Sequence, residues 1–208
     1  SVFTTRPETI FGVSFLVLSP EHELIDSLCT QTQKKKINKY QLECSQKSEL
    51  DRISNINSVS GEFTGSYAIH PFSQEKIPIW ISDYVLTNYG SGAIMAVPAH
   101  DSRDFKFAKK FKLEIVQVIE NGYKVDEEPY LEKAGEIINS SFINGLSISK
   151  ASEMITNLVK EKNIGHKLIN FRLRDAIFSR QRYWGEPFPV YYKNEIPYLI
   201  PDVELPLK

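Results

Sequence analysis

The sequence predicts an α+β fold, rich in short strands that close as a β-barrel or stack as a sandwich, with a few helices at the periphery. Three observations lead there. Between Gly61 and Ile119, four strand-length runs (67–70, Lys76–Ile81, 93–97 and 115–119) are separated by Gly, Pro or Asn. Only residues 101–111 interrupt them with a helical pattern. Strand and helix signals nowhere alternate as a βαβ repeat would require.

The elements follow in order. Residues 2–5 read as a β-branched strand, with Arg6, Pro7, Glu8 and Thr9 in the loop after it. Residues 11–19 form a second apolar strand, stopped by Pro20. A helix is expected over 21–29, with Leu24, Ile25 and Leu28 on one face, and another over 33–47, buried through Ile37, Tyr40 and Cys44. Lys34, Lys35 and Lys36 on that second helix make a solvated face or a phosphate contact. Asn121 and Gly122 signal a two-residue turn, and 135–138 one further strand. Residues 147–162 carry an amphipathic helix, with Ala151, Ile155, Leu158 and Val159 inward and Gly165 just past its end. From Phe171 onward Pro187, Pro189, Pro197, Pro201 and Pro206 break the pattern repeatedly, leaving one or two strands such as Val190–Lys193. The expected division is a barrel domain over 1–170 and a connector over 171–208.

A chain of 208 residues buries one good core, or one domain and an appendage. Its 41% apolar and 25% charged content is that of an ordinary globular protein. The net charge of −1 says nothing about nucleic acid, but its distribution is uneven. Residues 160–182 hold seven Lys or Arg against two acids, and after Tyr183 the sign reverses. Cys29 and Cys44 form no Cys-x-x-Cys pair and read as free thiols in a reducing compartment. No apolar run approaches the ~20 residues a spanning helix needs. No membrane partner and no signal peptide are indicated. The chain opens inside a strand-like segment without a methionine, as a piece of a longer protein would.

Chemistry concentrates in residues 89–105. Gly90 and Gly92 permit a tight turn, residues 93–97 make a short apolar strand, and Pro98 ends it. Asp101 and Asp104 then stand at a helix start, where they cap it and favour its dipole by roughly 0.3–1 kcal/mol. In a partly dry pocket a carboxylate here also makes a strong hydrogen bond to a cation. Met95 and Val97 alternate with Ala96 and share one side of the strand, as core residues or as pocket wall. Near the start, Thr4 and Thr5 beside Arg6 suit a water, a carbonyl oxygen or a phosphate. A lone Thr9 is ordinarily a turn or cap residue.

Two of these runs, Thr4-Thr5-Arg6-Pro7-Glu8-Thr9-Ile10-Phe11-Gly12 and Met95-Ala96-Val97-Pro98-Ala99-His100-Asp101, resemble the editing domain inserted into leucyl-tRNA synthetases. A third, Leu173-Arg174-Asp175 with Ser179-Arg180-Gln181-Arg182-Tyr183-Trp184-Gly185, resembles the point where that chain returns to its catalytic body. The three occur in family order and cover nearly the whole sequence. Glu8 stands where Asp is more usual, and Ser91 replaces a common Thr.

The resemblance implies a β-barrel with peripheral helices, and hydrolysis of the aminoacyl ester of mischarged tRNA-Leu (Ile, Met, norvaline). It makes Asp104 the anchor of the α-ammonium, with Asp101 and His100 as substrate-side neighbours. Thr9 becomes the steric filter that excludes leucine, with Met95 and Val97 beside it. Such a filter answers a physical limit, since one methylene contributes only ~1–3 kcal/mol to discrimination; aminoacyl-tRNA synthetases are its known illustration. Thr4, Thr5 and Arg6 would face the ester and the terminal adenosine, on which Tyr89 would stack. The implied partners are the tRNA-Leu acceptor end, the misattached amino acid and the synthetase body, in the cytoplasm. The Arg172 to Arg182 segment would be a hinge packed on that body or, through the five basic residues from Lys167 to Arg182, a track for RNA.

No metal or cofactor is expected for this stretch. The ATP and Mg2+ of the parent enzyme serve a synthetic site whose His-x-Gly-His and Lys-Met-Ser-Lys-Ser signatures are absent here. Nor is there a Gly-x-Ser-x-Gly elbow or a His-Glu-x-x-His pair. A positioned water and the neighbouring ribose hydroxyl would suffice for an activated ester. Two other readings are a non-catalytic tRNA-binding module and an esterase with Ser91, His100 and Asp101 as a triad.

Overall fold

A computed structural model of the chain describes residues 1–48, 51–52, 59–87, 90–120, 122, 125, 127–169 and 189–201. The chain divides into two units, Ser1–Lys167 and Leu168–Lys208. In the larger unit the layering follows from side-chain alternation in four short strands: β1 (Phe15–Leu18), β2 (Glu62–Ile69), β3 (Lys76–Ile81) and β4 (Ala93–Ala96). They form one sheet in the order β2-β3-β1-β4. β1 runs parallel to β3, with Leu16 opposite Ile79, and antiparallel to β4, with Leu16 opposite Met95.

Because successive residues point to opposite faces, the sheet builds a core on each side. Leu18, Ile79, Ile81 and Ala93 meet Ile25 of α1 (Ile25–Leu28) and Ile37, Tyr40 and Cys44 of α2 (Lys34–Ser45). On the other side Phe15, Val17, Trp80, Ile94 and Ala96 meet Phe107 and Ala108 of α3 (Ser102–Phe111). The Phe15 and Phe107 rings stack with centroids 4.9 Å apart. Each fully buried Phe, Val, Leu or Ile among these contributes about 1.5–3 kcal/mol. A third core joins Ile119 of β5 (Ile119–Glu120), Ile137 of β6 (Glu136–Ile137), Ile143, and Ala151 and Ile155 of α4 (Ile148–Glu161), with Ile10 and Phe11 packed against it.

The α+β class stands, with helices around a sheet. The described strands make this open four-stranded sheet and two two-stranded ribbons; among the described residues they do not close into a barrel.

Several local expectations change. The apolar run 11–19 is a strand only over β1, because Pro7–Gly12 winds as a 3-10 helix. Pro7 sets its first turn, and the Thr9 and Val13 amides donate to the Arg6 and Ile10 carbonyls at 3.1 and 3.2 Å. The strand expected at 2–5 reduces to one bridge between Phe3 and Ile94. The helix expected over 21–29 forms only as α1, and pairing within 115–119 is confined to its last residue. β2 begins earlier than expected, because Gly65, at φ +87, absorbs an irregularity in register between Phe63 and Tyr67 instead of ending the strand. Beyond α4 the left-handed residue is Asn163 (φ 54), not Gly165, and the following Ile164 amide reaches back to Val159 at 3.1 Å. Asn121 lies outside the described residues.

In the smaller unit, β7 (Val190–Lys193) and β8 (Ile196–Leu199) form a hairpin. Its two turn residues, Asn194 and Glu195, both have positive φ, which matches the twist of the flanking strands.

Candidate functional site

The site grows from the end of β4. After Ala96 the chain makes a short 3-10 turn, Pro98–His100, and enters α3 with Asp101 as its N-cap. One Asp101 oxygen, Oδ1, accepts from the amides of Arg103 (2.8 Å) and Asp104 (3.1 Å), which supplies donors at the helix start with a partner. This fixes Asp104 in the first turn of α3, facing inward at 4% exposure.

Asp104 is held at both oxygens. Oδ1 accepts from the Tyr84 hydroxyl at 2.8 Å and Oδ2 from the Val97 amide at 2.8 Å. Both donors are neutral, and no Lys, Arg or His forms an ion pair with Asp104 among the described residues. Burial, reinforced by the nearby negative charge of Asp101, pushes the Asp104 carboxyl up to about 7, against the opposing pull of Val97, Tyr84 and Arg103. It is a deeply buried acid without a counter-ion among the described residues.

His100 is a tie. Its Nδ1 lies 3.1 Å from the Tyr130 carbonyl, to which it donates, and Nε2 accepts from the Val118 amide at 3.1 Å. Burial holds the ring down to about 4, with the Arg6 charge acting the same way, so the neutral tautomer fits both contacts. With both nitrogens engaged by backbone, the ring joins the 3-10 turn to two later segments. The triad does not assemble either. Asp101 caps α3, and Ser91 Oγ donates to the Ser1 and Ala93 carbonyls.

The N-terminal segment lies against this turn. The Phe3 amide donates to the Ala93 carbonyl at 2.9 Å, and Arg6 Nη1 reaches the His100 carbonyl at 3.4 Å. Arg6 Nε pairs with buried Glu8 at 3.1 Å, while Arg6 Nη2 is buried without a hydrogen-bond partner among the described residues. Thr4 Oγ1 accepts from the Arg6 amide at 3.0 Å; Thr5 is exposed. Thr9 is 1% exposed, and its hydroxyl donates to the Arg6 carbonyl at 2.9 Å. At Gly12 the 3-10 helix approaches so closely that a Cβ would stand 3.1 Å from Val97 Cγ1. Val97 is buried; Met95 is half-buried within β4, opposite Leu16.

The structure therefore brings Thr4, Arg6, Thr9, Val97, His100, Asp101 and Asp104 into one connected cluster, with Met95 on the strand leading to it. Tyr89 and the whole Leu173 to Gly185 motif lie outside the described residues. Two contributors escaped the sequence reading, Tyr84 as donor to Asp104 and Glu8 as partner of Arg6. Glu8 carried a signal, an acid two residues from an Arg across a proline. Tyr84 carried none. Among the described residues no group of three or more His, Cys, Asp or Glu side chains is placed to hold a metal ion.

Comparison with known proteins fits this geometry. A family model described as "Leucyl-tRNA synthetase, editing domain" matches residues 1–160. The leucine–tRNA ligase of Amoebophilus asiaticus is 53% identical over 207 residues, covering 100% of this chain and 22% of that protein. That of Cytophaga hutchinsonii is 50% identical over 208 residues, covering 100% of this chain and 23% of that protein. Among solved structures, the Agrobacterium radiobacter K84 agnB2 LeuRS, in a ternary complex with tRNA and LeuAMS, is similar with a TM-score of 0.65. It is 30% identical, covering 99% of this chain and 22% of that one. This chain thus spans about a fifth of the length of the relatives it matches. An editing-domain match over most of the chain, and relatives of this identity over all of it, place the chain in the leucyl-tRNA synthetase family, as its editing domain.

Proposed function

We propose that this chain hydrolyses the aminoacyl ester of mischarged tRNA-Leu after transfer, within a leucyl-tRNA synthetase of the cytoplasm. The observation that carries the reading is Asp104, a buried carboxylate that accepts two neutral donors and has no cation partner among the described residues. A buried charge is costly unless paired. The α-ammonium of an aminoacyl ester is a cation of the right chemistry, and its arrival favours ionisation of an acid otherwise half-protonated near pH 7.

The remaining roles are those the family resemblance implies. Thr9, fixed through its hydroxyl to the Arg6 carbonyl, bounds the amino-acid side chain with Val97 and Met95 and rejects leucine. Arg6 Nη2, a buried donor with an unmet bond, faces an oxygen of the ester or the terminal nucleotide. A water adds to the ester carbonyl, the bond to the ribose oxygen breaks, and the neighbouring ribose hydroxyl assists. The products are a free amino acid and uncharged tRNA. Residues 171–208 lead back toward the synthetic body, and in the intact protein the strands belong to a barrel.

The test is hydrolysis of Ile-tRNA-Leu and Leu-tRNA-Leu by the wild type and by Asp104→Ala. Clearance of the Ile ester alone, lost in the variant by about a hundredfold, the scale of a charge-assisted hydrogen bond of ~3 kcal/mol, supports the reading. Undiminished hydrolysis by Asp104→Ala sinks the anchor. Salt-sensitive tRNA binding without turnover makes the chain a docking module instead.

A further inference from the structure

We propose that Tyr84 is a positioning residue for this reaction, acting through Asp104: its hydroxyl fixes the carboxylate's orientation and keeps it charged without neutralising it. The inference rests on the deacylase reading above. Tyr84 follows the end of β3, on the sheet side, and Asp104 opens α3, so their 2.8 Å bond ties the two elements at the site. The Tyr84 and Phe107 rings meet edge to face with centroids 6.0 Å apart, which seats the phenol independently of the bond.

The type of donor matters. A carboxylate has roughly four acceptor positions. Tyr84 takes one on Oδ1 and the Val97 amide takes one on Oδ2. Rotation of the carboxyl would break both, and each oxygen keeps a position for an incoming ammonium. A lysine in place of Tyr84 would satisfy the charge permanently and compete with the substrate. A phenol does not, because burial and the adjacent Asp104 charge hold it protonated, well above its ordinary range. Around Asp104 the other contributors are Asp101, which opposes its ionisation, and Arg103 and the Val97 amide, which favour it. Tyr84 is the side-chain donor among them.

The test is Tyr84→Phe, which removes one hydroxyl and leaves the ring to pack. Removal of a bond to a charged group moves the Asp104 titration midpoint, read by 13C NMR of the carboxyl, upward by roughly one pH unit, or tenfold in its ionisation constant. Deacylation of Ile-tRNA-Leu, corrected for spontaneous hydrolysis, falls about fivefold at pH 7, in step with the ionised fraction of Asp104, and recovers toward pH 8.5. In an Asp104→Asn background Tyr84→Phe has no further effect on rate. An unchanged titration midpoint overturns the proposal, as does a rate loss equal at every pH or additive with Asp104→Asn. The titration requires no catalysis. If the wild type fails to deacylate, the functional reading falls while the Tyr84 effect on Asp104 is still decided.

Discussion

Two buried aspartates lie at opposite ends of one short stretch, and they are held in different ways. Asp83 lies two residues past the end of β3 and is fully answered. Its Oδ2 accepts from Lys47 Nζ at 2.6 Å, its Oδ1 from Ser60 at 2.9 Å, and its amide donates to the Tyr40 hydroxyl at 3.1 Å. The bond to Asp83 in turn raises the Lys47 ammonium above its ordinary range. Asp104 has the tyrosine and the amide but, among the described residues, no cation. An acid closed off by an internal lysine braces α2 against the sheet. An acid left one charge short can receive a substrate. Burial alone does not separate a structural carboxylate from a functional one; the completeness of its partners does.

The sharpest break of this contrast is to truncate each acid in turn. Asp104→Ala should lower editing by about a hundredfold and, by stranding the Val97 amide and the Tyr84 hydroxyl, cost about 1–3 kcal/mol of stability. Asp83→Ala should lower Tm by several degrees, since it strands Lys47 and Ser60, with the rate per folded molecule kept. Equal effects on rate would erase the distinction.

A second measurement tests the missing counter-ion through pH. The Asp104 carboxyl is raised from 3.8 to about 7 on folding. Its stabilising contribution is therefore fully present below about pH 4 and lost as pH rises through about 7. Asp104→Asn offers Oδ1 to the Val97 amide and Nδ2 to the Tyr84 oxygen, and should raise Tm by several degrees at pH 8. His100 has the opposite sign. Its ring is lowered from 6.5 to about 4, so its contribution is present above 6.5 and lost as pH falls through about 4. The Asn variant should thus weaken only on the acid side, in a thermal melt series from pH 8 to pH 3.5.

Smaller is the effect expected at Thr9. Thr9→Ala should admit Leu-tRNA-Leu, with selectivity over the Ile ester reduced by roughly 10-fold, the scale of one methyl-sized contact. The least is expected at Lys47→Met, where the lysine is partly exposed: a loss of about 1 kcal/mol in urea unfolding, with editing unaltered.

What the sequence made legible was local. The cap at Asp101, the start of α3 and the inward stripe of α4 depend on residues within a few positions of each other, and all stand in the structure. From sequence the Pro7–Gly12 turn reads as loop passing into strand because apolar content dominates a short window, whereas Pro7 and the Thr9 hydroxyl decide the backbone. The partners of Asp104 and His100 were illegible. Two are a side chain and an amide just past the ends of β3 and β4, and the other two are backbone atoms at Val118 and Tyr130, whose approach depends on sheet register and loop path. Open sheet or closed barrel is likewise a question of register, which alternation in single strands does not address.

The place of β1 has a consequence for synthesis. It lies between β3 and β4, and Leu16 pairs with Ile79 on one side and Met95 on the other. The earliest strand made is thus among the last to find its neighbours. At about 5–20 residues per second, the ribosome needs roughly 3–13 s to deliver the parallel partner after Leu16 has emerged. Through that interval Phe15, Val17 and Leu18 are without the sheet that covers them. Assembly of the sheet, and of the site at the end of β4, therefore waits on the chain through residue 96. A nascent chain halted short of that point should be protease-sensitive throughout β1.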